Sequence, residues 1–391
     1  MKRLLLPALL LTTLTACAAT PADTLPAAVP TPTPASTPAP TAAPTPADAL
    51  TPEEKIGQLF IIRPDALDLT LPQETINDAK ADGVTMLTDA MRETLQAYPV
   101  GGICQFGKNI TDPEQLAQFN ADLQAASRTP LFIAVDEEGG AVARLANHPA
   151  FDLPQYESAA AVGASGDPAD ACAMGQTIGA YLKEYGFNMD FAPDADVNTN
   201  PDNPIIGTRA FSSDAATAAE MAAAAADGLR TGGILPRLKH FPRHGDTAED
   251  SHTALAVTYK TLDELQACEL LPFAADTGLH AVMVGHIAAP NVTGDGTPAT
   301  LSPQLVALIP DAENTLIVTD SLAMDAITAA YTPGEAAVQA LQAGCDVLLM
   351  PNSLPEAYAA VLEAVQNGTI SEERLDRSVN KILLYKQQFA S

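Results

Sequence analysis

Short apolar runs recur along the chain: Leu59–Ile62, Val100–Cys104, Leu131–Val135, Phe187–Phe191, Ile234–Lys239, Ala281–Val284, Thr315–Val318 and Val347–Leu349. Each is continuous rather than alternating, as in parallel strands covered on both faces. Longer stretches between most of them read as helices: Pro113–Ala126, Asp167–Tyr185, Asp214–Leu229, Leu262–Asp276 and Pro355–Gln366. Glu372–Gln388 would close an outer ring. Thr51-Pro52-Glu53-Glu54 reads as a helix start, with a hydroxyl cap, a proline in the first turn and a returning glutamate. Residues 64–98 are polar and mixed, helix and loop without a sharp period. Eight strand–helix units predict an α/β chain folded as a (β/α)8 TIM-type barrel over residues 49–391. An open doubly wound sheet is the alternative that pattern alone leaves.

The first 48 residues do not belong to that rhythm. Residues 1–17 carry a basic head, Met1-Lys2-Arg3, an apolar run from Leu4 to Leu11, and Leu14-Thr15-Ala16-Cys17. That is the anatomy of a lipoprotein signal peptide with a lipobox, and Cys17 is the expected lipidation site. An ordinary cleaved signal with an incidental cysteine is the alternative. The apolar run is short of the ~20 residues a spanning helix needs. Residues 18–48 are rich in Pro, Thr and Ala and read as a disordered, extended tether. The expected location is therefore exported, lipid-anchored to the cell membrane on its extracytoplasmic face.

Charge narrows the partners. Asp and Glu number 48 and Lys and Arg 20, a net charge of −28. Such a surface repels nucleic acid and anionic lipid head groups, so no nucleic-acid partner is expected. Cys104, Cys172, Cys268 and Cys345 show no Cys-x-x-Cys spacing, which argues against a zinc knuckle, and buried free thiols are expected.

The polar residues gather where a barrel would want them. Asp136, Asp194, Asp196, Lys239, His240, His286 and Asp320 each stand at or just past the end of an apolar run. In a (β/α)8 barrel those ends share one face, and the active site lies there. Asp320 after Leu316-Ile317-Val318-Thr319 suits a nucleophile or a metal ligand; a helix N-cap is its bland alternative. Lys239 to His252 holds three of the chain's six histidines on a loop broken by Pro242 and Gly245. Asp250 and His252, two apart, can pair so that the carboxylate fixes the imidazole tautomer for acid–base work. A spare surface histidine is the alternative. A metal site from His240, His244 and His252 with Asp246 and Asp250 is disfavoured, because His-x-x-x-His pairs ligands mainly on a helix. No metal and no cofactor are expected.

At these residues the chain becomes recognisable. Lys239-His240-Phe241-Pro242, His244-Gly245-Asp246-Thr247 and Asp250-Ser251-His252 resemble the signature of glycoside hydrolase family 3, in its β-N-acetylglucosaminidase branch. Asp136-Glu137-Glu138-Gly139-Gly140 with Arg144, Asn188-Met189-Asp190-Phe191-Ala192-Pro193, Gly207-Thr208-Arg209 and Thr319-Asp320 extend the likeness over residues 50–390. The resemblance implies a retaining enzyme that cleaves terminal N-acetylglucosamine from peptidoglycan fragments or related glycans. It implies Asp320 as nucleophile, His252 as acid–base and Asp250 as its orienting partner. It implies Asp136, Arg144, Arg209, Lys239 and His240 as holders of the terminal sugar, with His286 lining the same pocket. Another family 3 activity, on β-glucosides or by phosphorolysis, is the runner-up, and a non-catalytic wall-binding lipoprotein is the reading from another class. The chain departs from the resemblance at Arg243, where the family commonly has glycine. No second domain is expected after the barrel, so its own loops or another chain are expected to enclose the substrate.

Overall fold

The computed structural model of the protein describes residues 45–245, 255–276, 278 and 280–390. Cys17, Asp250 and His252 lie outside the described residues. Every apolar run named above becomes a strand: β1 (Phe60–Ile62), β2 (Gly102–Cys104), β3 (Phe132–Val135), β4 (Met189–Asp190), β5 (Leu235–Phe241), β6 (Ala281–Val284), β7 (Leu316–Thr319) and β8 (Leu348–Leu349). They form one eight-stranded sheet, ordered β7-β6-β5-β4-β3-β2-β1-β8. Neighbours pair in parallel, for example Ile103 with Ile133 and Val318 with Met283. A parallel bridge from Val318 to Val347 joins the two ends. The Thr319 and Leu322 amides donate to the Val347 and Leu349 carbonyls at 3.0 and 2.9 Å. The ring is closed, and the open-sheet alternative falls.

Helices cover the outside: α1 (Pro52–Gln58), α2 (Pro113–Ala126), α3 (Pro168–Glu184), α4 (Ala215–Thr231), α5 (Pro333–Ala343), α6 (Leu354–Gln366) and α7 (Glu372–Phe389) are the main ones. The α1 start is the expected capping box. Thr51 Oγ1 accepts from the Glu54 amide at 3.2 Å, and Glu54 Oε2 accepts from the Thr51 amide at 2.9 Å. α3 and α4 meet at bare glycines; a Cβ on Gly228 would stand 2.1 Å from the Cys172 carbonyl oxygen.

Three expectations change, while residues 64–98 are helix and loop as expected. The helix expected over Leu262–Asp276 is two, Leu262–Ala267 and Leu271–Ala275. Pro272 has no amide hydrogen for a carbonyl one turn back, so the helix breaks before it. The end of the tether is structured: Pro46–Ala49 form a 3-10 turn, Ala47 is buried, and its amide donates to Asn380 Oδ1 at 2.9 Å. Residues 64–98 hold a 3-10 turn (Pro64–Leu67) and two helices (Gln73–Asn77 and Asp89–Ala97). Cys104, Cys172, Cys268 and Cys345 are all free, but of these only Cys104 and Cys345 are buried; Cys172 and Cys268 are half-buried. No helix among the described residues is long and apolar enough to cross a membrane.

Candidate active site

The C-terminal ends of the strands surround a cavity of about 220 Å³ at the barrel mouth. β3 delivers Asp136 to its rim and runs on into a small ribbon, Glu137–Gly139 against Val142–Ala143. Gly139 and Gly140 turn that ribbon at φ 82° and 71°, a region that costs glycine nothing. The ribbon is held from behind. Glu137 is fully buried and accepts from the Leu145 and Ala146 amides at 2.8 Å each and from the Tyr181 hydroxyl at 2.9 Å. Its neighbours on either side, Asp136 and Glu138, face the cavity with Arg144.

There they meet cations from two other elements. Lys239 Nζ lies 2.8 Å from Asp136 Oδ1 and 2.5 Å from Glu138 Oε1. Arg209 clamps Glu138 with Nε and Nη2, both at 2.8 Å. Arg144 Nη2 stands 3.7 Å from Asp136. Burial alone would raise both acids, but Lys239 and Arg144 outweigh it at Asp136, and Arg209 and Lys239 do so at Glu138. Both carboxyls are held well below the usual range and stay ionised. The wall thus offers a charged acceptor, Asp136, beside a charged donor, Lys239, the pairing that grips sugar hydroxyls from both sides of the hydrogen bond.

β4 and β5 supply the next group. His240 Nδ1 is 2.8 Å from Asp196 Oδ2, and Asp196 also accepts from the His244 amide. Burial pushes His240 below its ordinary value despite this bond, while His240 outweighs burial at Asp196 and holds that carboxyl down. The ring is therefore neutral, with its Nδ1 hydrogen on Asp196 and Nε2 left as an acceptor. Burial and neighbouring Asp196 push the Asp194 carboxyl well up, although Arg209 Nη2 lies 3.5 Å away. Asp194, Asp196 and His240 are the one group of potential metal donors among the described residues, within 4.8 Å of one another. It is not the set weighed on sequence; His240 and Asp196 bond to each other, while Asp194 Oδ2 has no hydrogen-bond partner among the described residues.

Asp320 closes the circle at the end of β7. Its amide donates to the Val284 carbonyl at 2.9 Å, its Oδ1 accepts from the Ser321 amide at 2.7 Å, and the residue lines the cavity. The N-cap alternative fails: the next helix, Asp325–Thr328, has Met324 at its cap.

The sequence model of the Glycosyl hydrolase family 3 N terminal domain matches residues 51–384. The chain belongs to glycosyl hydrolase family 3. The beta-hexosaminidase A of Pseudoalteromonas piscicida is 32% identical over 335 residues, 78% of this chain but 56% of its own length. The beta-hexosaminidase LpqI of Mycobacterium tuberculosis is 32% identical over 366 residues, covering 86% of this chain and 83% of LpqI. Among solved structures, a family 3 beta-N-acetylglucosaminidase from Paenibacillus sp. str. FPU-7 superposes with TM-score 0.77 at 37% identity, over 87% of this chain and 63% of that one. The LpqI structure superposes with TM-score 0.72 at 31% identity, over 86% of this chain and 94% of that one.

Of the family 3 site residues expected from sequence, Asp136, Arg144, Arg209, Lys239, His240 and Asp320 come together on one cavity. His286 does not join them. It is fully buried; Nδ1 is 2.8 Å from Thr300 Oγ1 and Nε2 is 2.8 Å from the Ser321 carbonyl oxygen, so it braces the turn after Asp320 instead of lining the pocket. Arg243 also turns away from the cavity. It is 1% exposed, with Nη1 3.0 Å from Thr258 Oγ1 and 3.6 Å from Glu269 Oε1. Both ends of the segment that carries Asp250 and His252 are fixed near the mouth. A Cβ on Gly245 would stand 2.0 Å from the Val197 carbonyl oxygen, and Ala256–Val257 pairs with Ile287–Ala288 just past β6. Sequence reasoning missed Arg63, Glu138, Arg237 and His244, all of which line the cavity.

Proposed function

We propose that this family 3 chain is a retaining β-N-acetylglucosaminidase that removes terminal non-reducing N-acetylglucosamine from peptidoglycan fragments or related glycans. The observation that carries it is Asp320 on the same confined cavity as the ionised Asp136–Lys239–Glu138–Arg209 cluster. The Paenibacillus neighbour's name, beta-N-acetylglucosaminidase, and the relatives' name, beta-hexosaminidase, support the choice of sugar.

In this reading Asp136, Lys239 and Arg144 hold the sugar by its hydroxyls, and neutral His240 adds an acceptor. An Asp320 oxygen bonds to the anomeric carbon as the glycosidic bond breaks, and His252 gives its proton to the leaving oxygen. His252, oriented by Asp250, then takes a proton from water. The water oxygen bonds to the anomeric carbon, Asp320 is released, and configuration is retained. The fixed charges of the wall act most strongly where the ring becomes positive in the transition state. The protein acts outside the cytoplasm, tethered to the membrane by lipid on Cys17.

The test is product analysis on N-acetylglucosaminyl–N-acetylmuramic substrates, with and without phosphate. First-formed β-N-acetylglucosamine, independent of phosphate, is the expected result. A sugar 1-phosphate, or faster release from a p-nitrophenyl glucoside than from the N-acetylglucosaminide, would replace this reading with another family 3 activity. Sugar binding without turnover would leave a wall-binding protein.

A further inference from the structure

The chain is strongly acidic, yet its cavity is not. Arg63, Arg144, Arg209, Arg237 and Lys239 line it, against Asp136, Glu138 and Asp320. Three of these cations are matched by Asp136 and Glu138, as described above. No carboxylate among the described residues lies within ion-pair distance of the other two, although Asp136, Asp320 and Asp190 favour the charged form of Arg237 from farther off. Arg63 gives Nε to the Met350 sulfur at 3.2 Å and Nη1 to the Ile76 carbonyl at 3.1 Å, and its guanidinium lies 4.5 Å over the Phe106 ring.

Arg237 is the stranger case. It stands two residues before Lys239 on β5, so its side chain shares Lys239's side of the strand one layer deeper in the barrel. It is fully buried and stacks on Phe191, 3.2 Å from the ring centroid. Nε, Nη1 and Nη2 have no hydrogen-bond partner among the described residues. Burial lowers this guanidinium to about 10, so it remains charged at neutral pH. A barrel interior normally fills this layer with branched apolar side chains. A buried cation whose donors are unused is destabilising unless an acceptor arrives.

We infer that the floor of the cavity is an oxyanion subsite centred on Arg237, built to receive a sulfate or phosphate group beneath the terminal sugar. A guanidinium fork matches a tetrahedral anion through paired hydrogen bonds, the geometry in which arginine binds best. Asp136 does not repel such a group strongly, because Lys239 and Arg144 already neutralise it. C6 is the one carbon borne outside the ring by a ring carbon, and rotation about C5–C6 lets an ester there reach below the ring. The anion has two sources, an ester on the substrate's own terminal sugar or a free inorganic ion.

The substrate arm rests on the function proposed above; the inorganic arm does not. Wild type and Arg237→Met are compared on p-nitrophenyl N-acetyl-β-glucosaminide and its 6-O-sulfate, and inorganic sulfate is titrated into both proteins by calorimetry. Saturable sulfate binding to wild type, weakened at least tenfold in Arg237→Met, is the expected result. If the ester is the source, the ratio of kcat/KM for sulfated over plain substrate also falls at least tenfold in the variant. If that ratio is unchanged while sulfate binding is lost, the free ion is the source. No sulfate binding by wild type together with an unchanged ratio overturns the subsite. Should Arg237→Met fail to fold, Arg237→Lys, which keeps charge but loses the fork, is read in the same two assays. Failure of wild type on both sugars would count against the glycosidase reading, and the calorimetry would still decide the subsite.

Discussion

Lys386 places a cation under the barrel without a counter-charge, and the cost can be measured. It lies on α7 with 2% of its surface exposed. Nζ reaches Gln58 Oε1 at 2.5 Å and stands 5.3 Å from the Phe132 ring centroid; no carboxylate pairs with it among the described residues. Burial pushes the ammonium down to about 7, against ~10.4 in an unfolded chain. At about 1.36 kcal/mol per pH unit, that gap is worth up to ~5 kcal/mol. Between pH 7 and ~10.4 the unfolded chain binds the proton and the folded chain does not, so stability rises with pH across that window and is level below it. Lys386→Met keeps the stem's volume against Phe132 and removes the titration. The loss of the Gln58 contact subtracts about 1 kcal/mol. The variant should exceed wild type by a few kcal/mol at pH 6, and the difference should shrink steadily towards pH 10. Urea unfolding of both proteins at pH 6, 7.5 and 9 reads this directly. A difference that stays constant with pH, or a wild type more stable at pH 6, would refute the reasoning.

Asp320→Ala should lower kcat by at least ~10³-fold with an unchanged circular dichroism spectrum; normal turnover removes Asp320 from the nucleophile's role. His252→Ala should cost ~10²–10⁴-fold on substrates with poor leaving groups and far less on activated ones, and equal losses on both would contradict the acid role. Glu138→Gln leaves Lys239 and Arg209 short of one buried counter-charge. Because Asp136 remains beside Lys239, the cost should be about 3 kcal/mol, the low end for a broken buried pair; chemical denaturation showing less than about 1 kcal/mol would mean the cluster does not brace the wall. Cys17→Ala should move the exported protein from the membrane to the soluble fraction, and membrane retention would exclude a lipid anchor at Cys17.

Much of the barrel was legible because strands buried on both faces leave continuous apolar runs that no surface element imitates. Closure was not, since Val318 and Val347 meet across a register that pattern does not encode. The rule that polar residues at strand ends share one face picked out Asp136, Lys239, His240 and Asp320, which line one cavity. Applied to Arg63, at the end of β1, it would have found that residue as well. Glu138 and Arg237 were marked by a finer signal, a spacing of two from Asp136 and Lys239 on extended backbone. The same rule misplaced His286. Its ring turns towards Thr300 and the Ser321 carbonyl, partners far away in sequence that only the packed fold brings near.

The charges of the pocket wall bear on how its pH dependence must be read. Asp136 and Glu138 are held ionised far below neutrality by Lys239, Arg144 and Arg209, and His240 is held neutral by burial. None of these groups changes charge across the neutral range. A bell-shaped rate profile there cannot come from the grip on the sugar. In the proposed mechanism it would come from the groups assigned to the glycosidic bond, His252 and Asp320. Ion pairing in the wall thus does more than position hydroxyls. In the proposed mechanism it separates binding from proton transfer, so that a single imidazole would lose and regain its proton while the sugar's contacts stay constant.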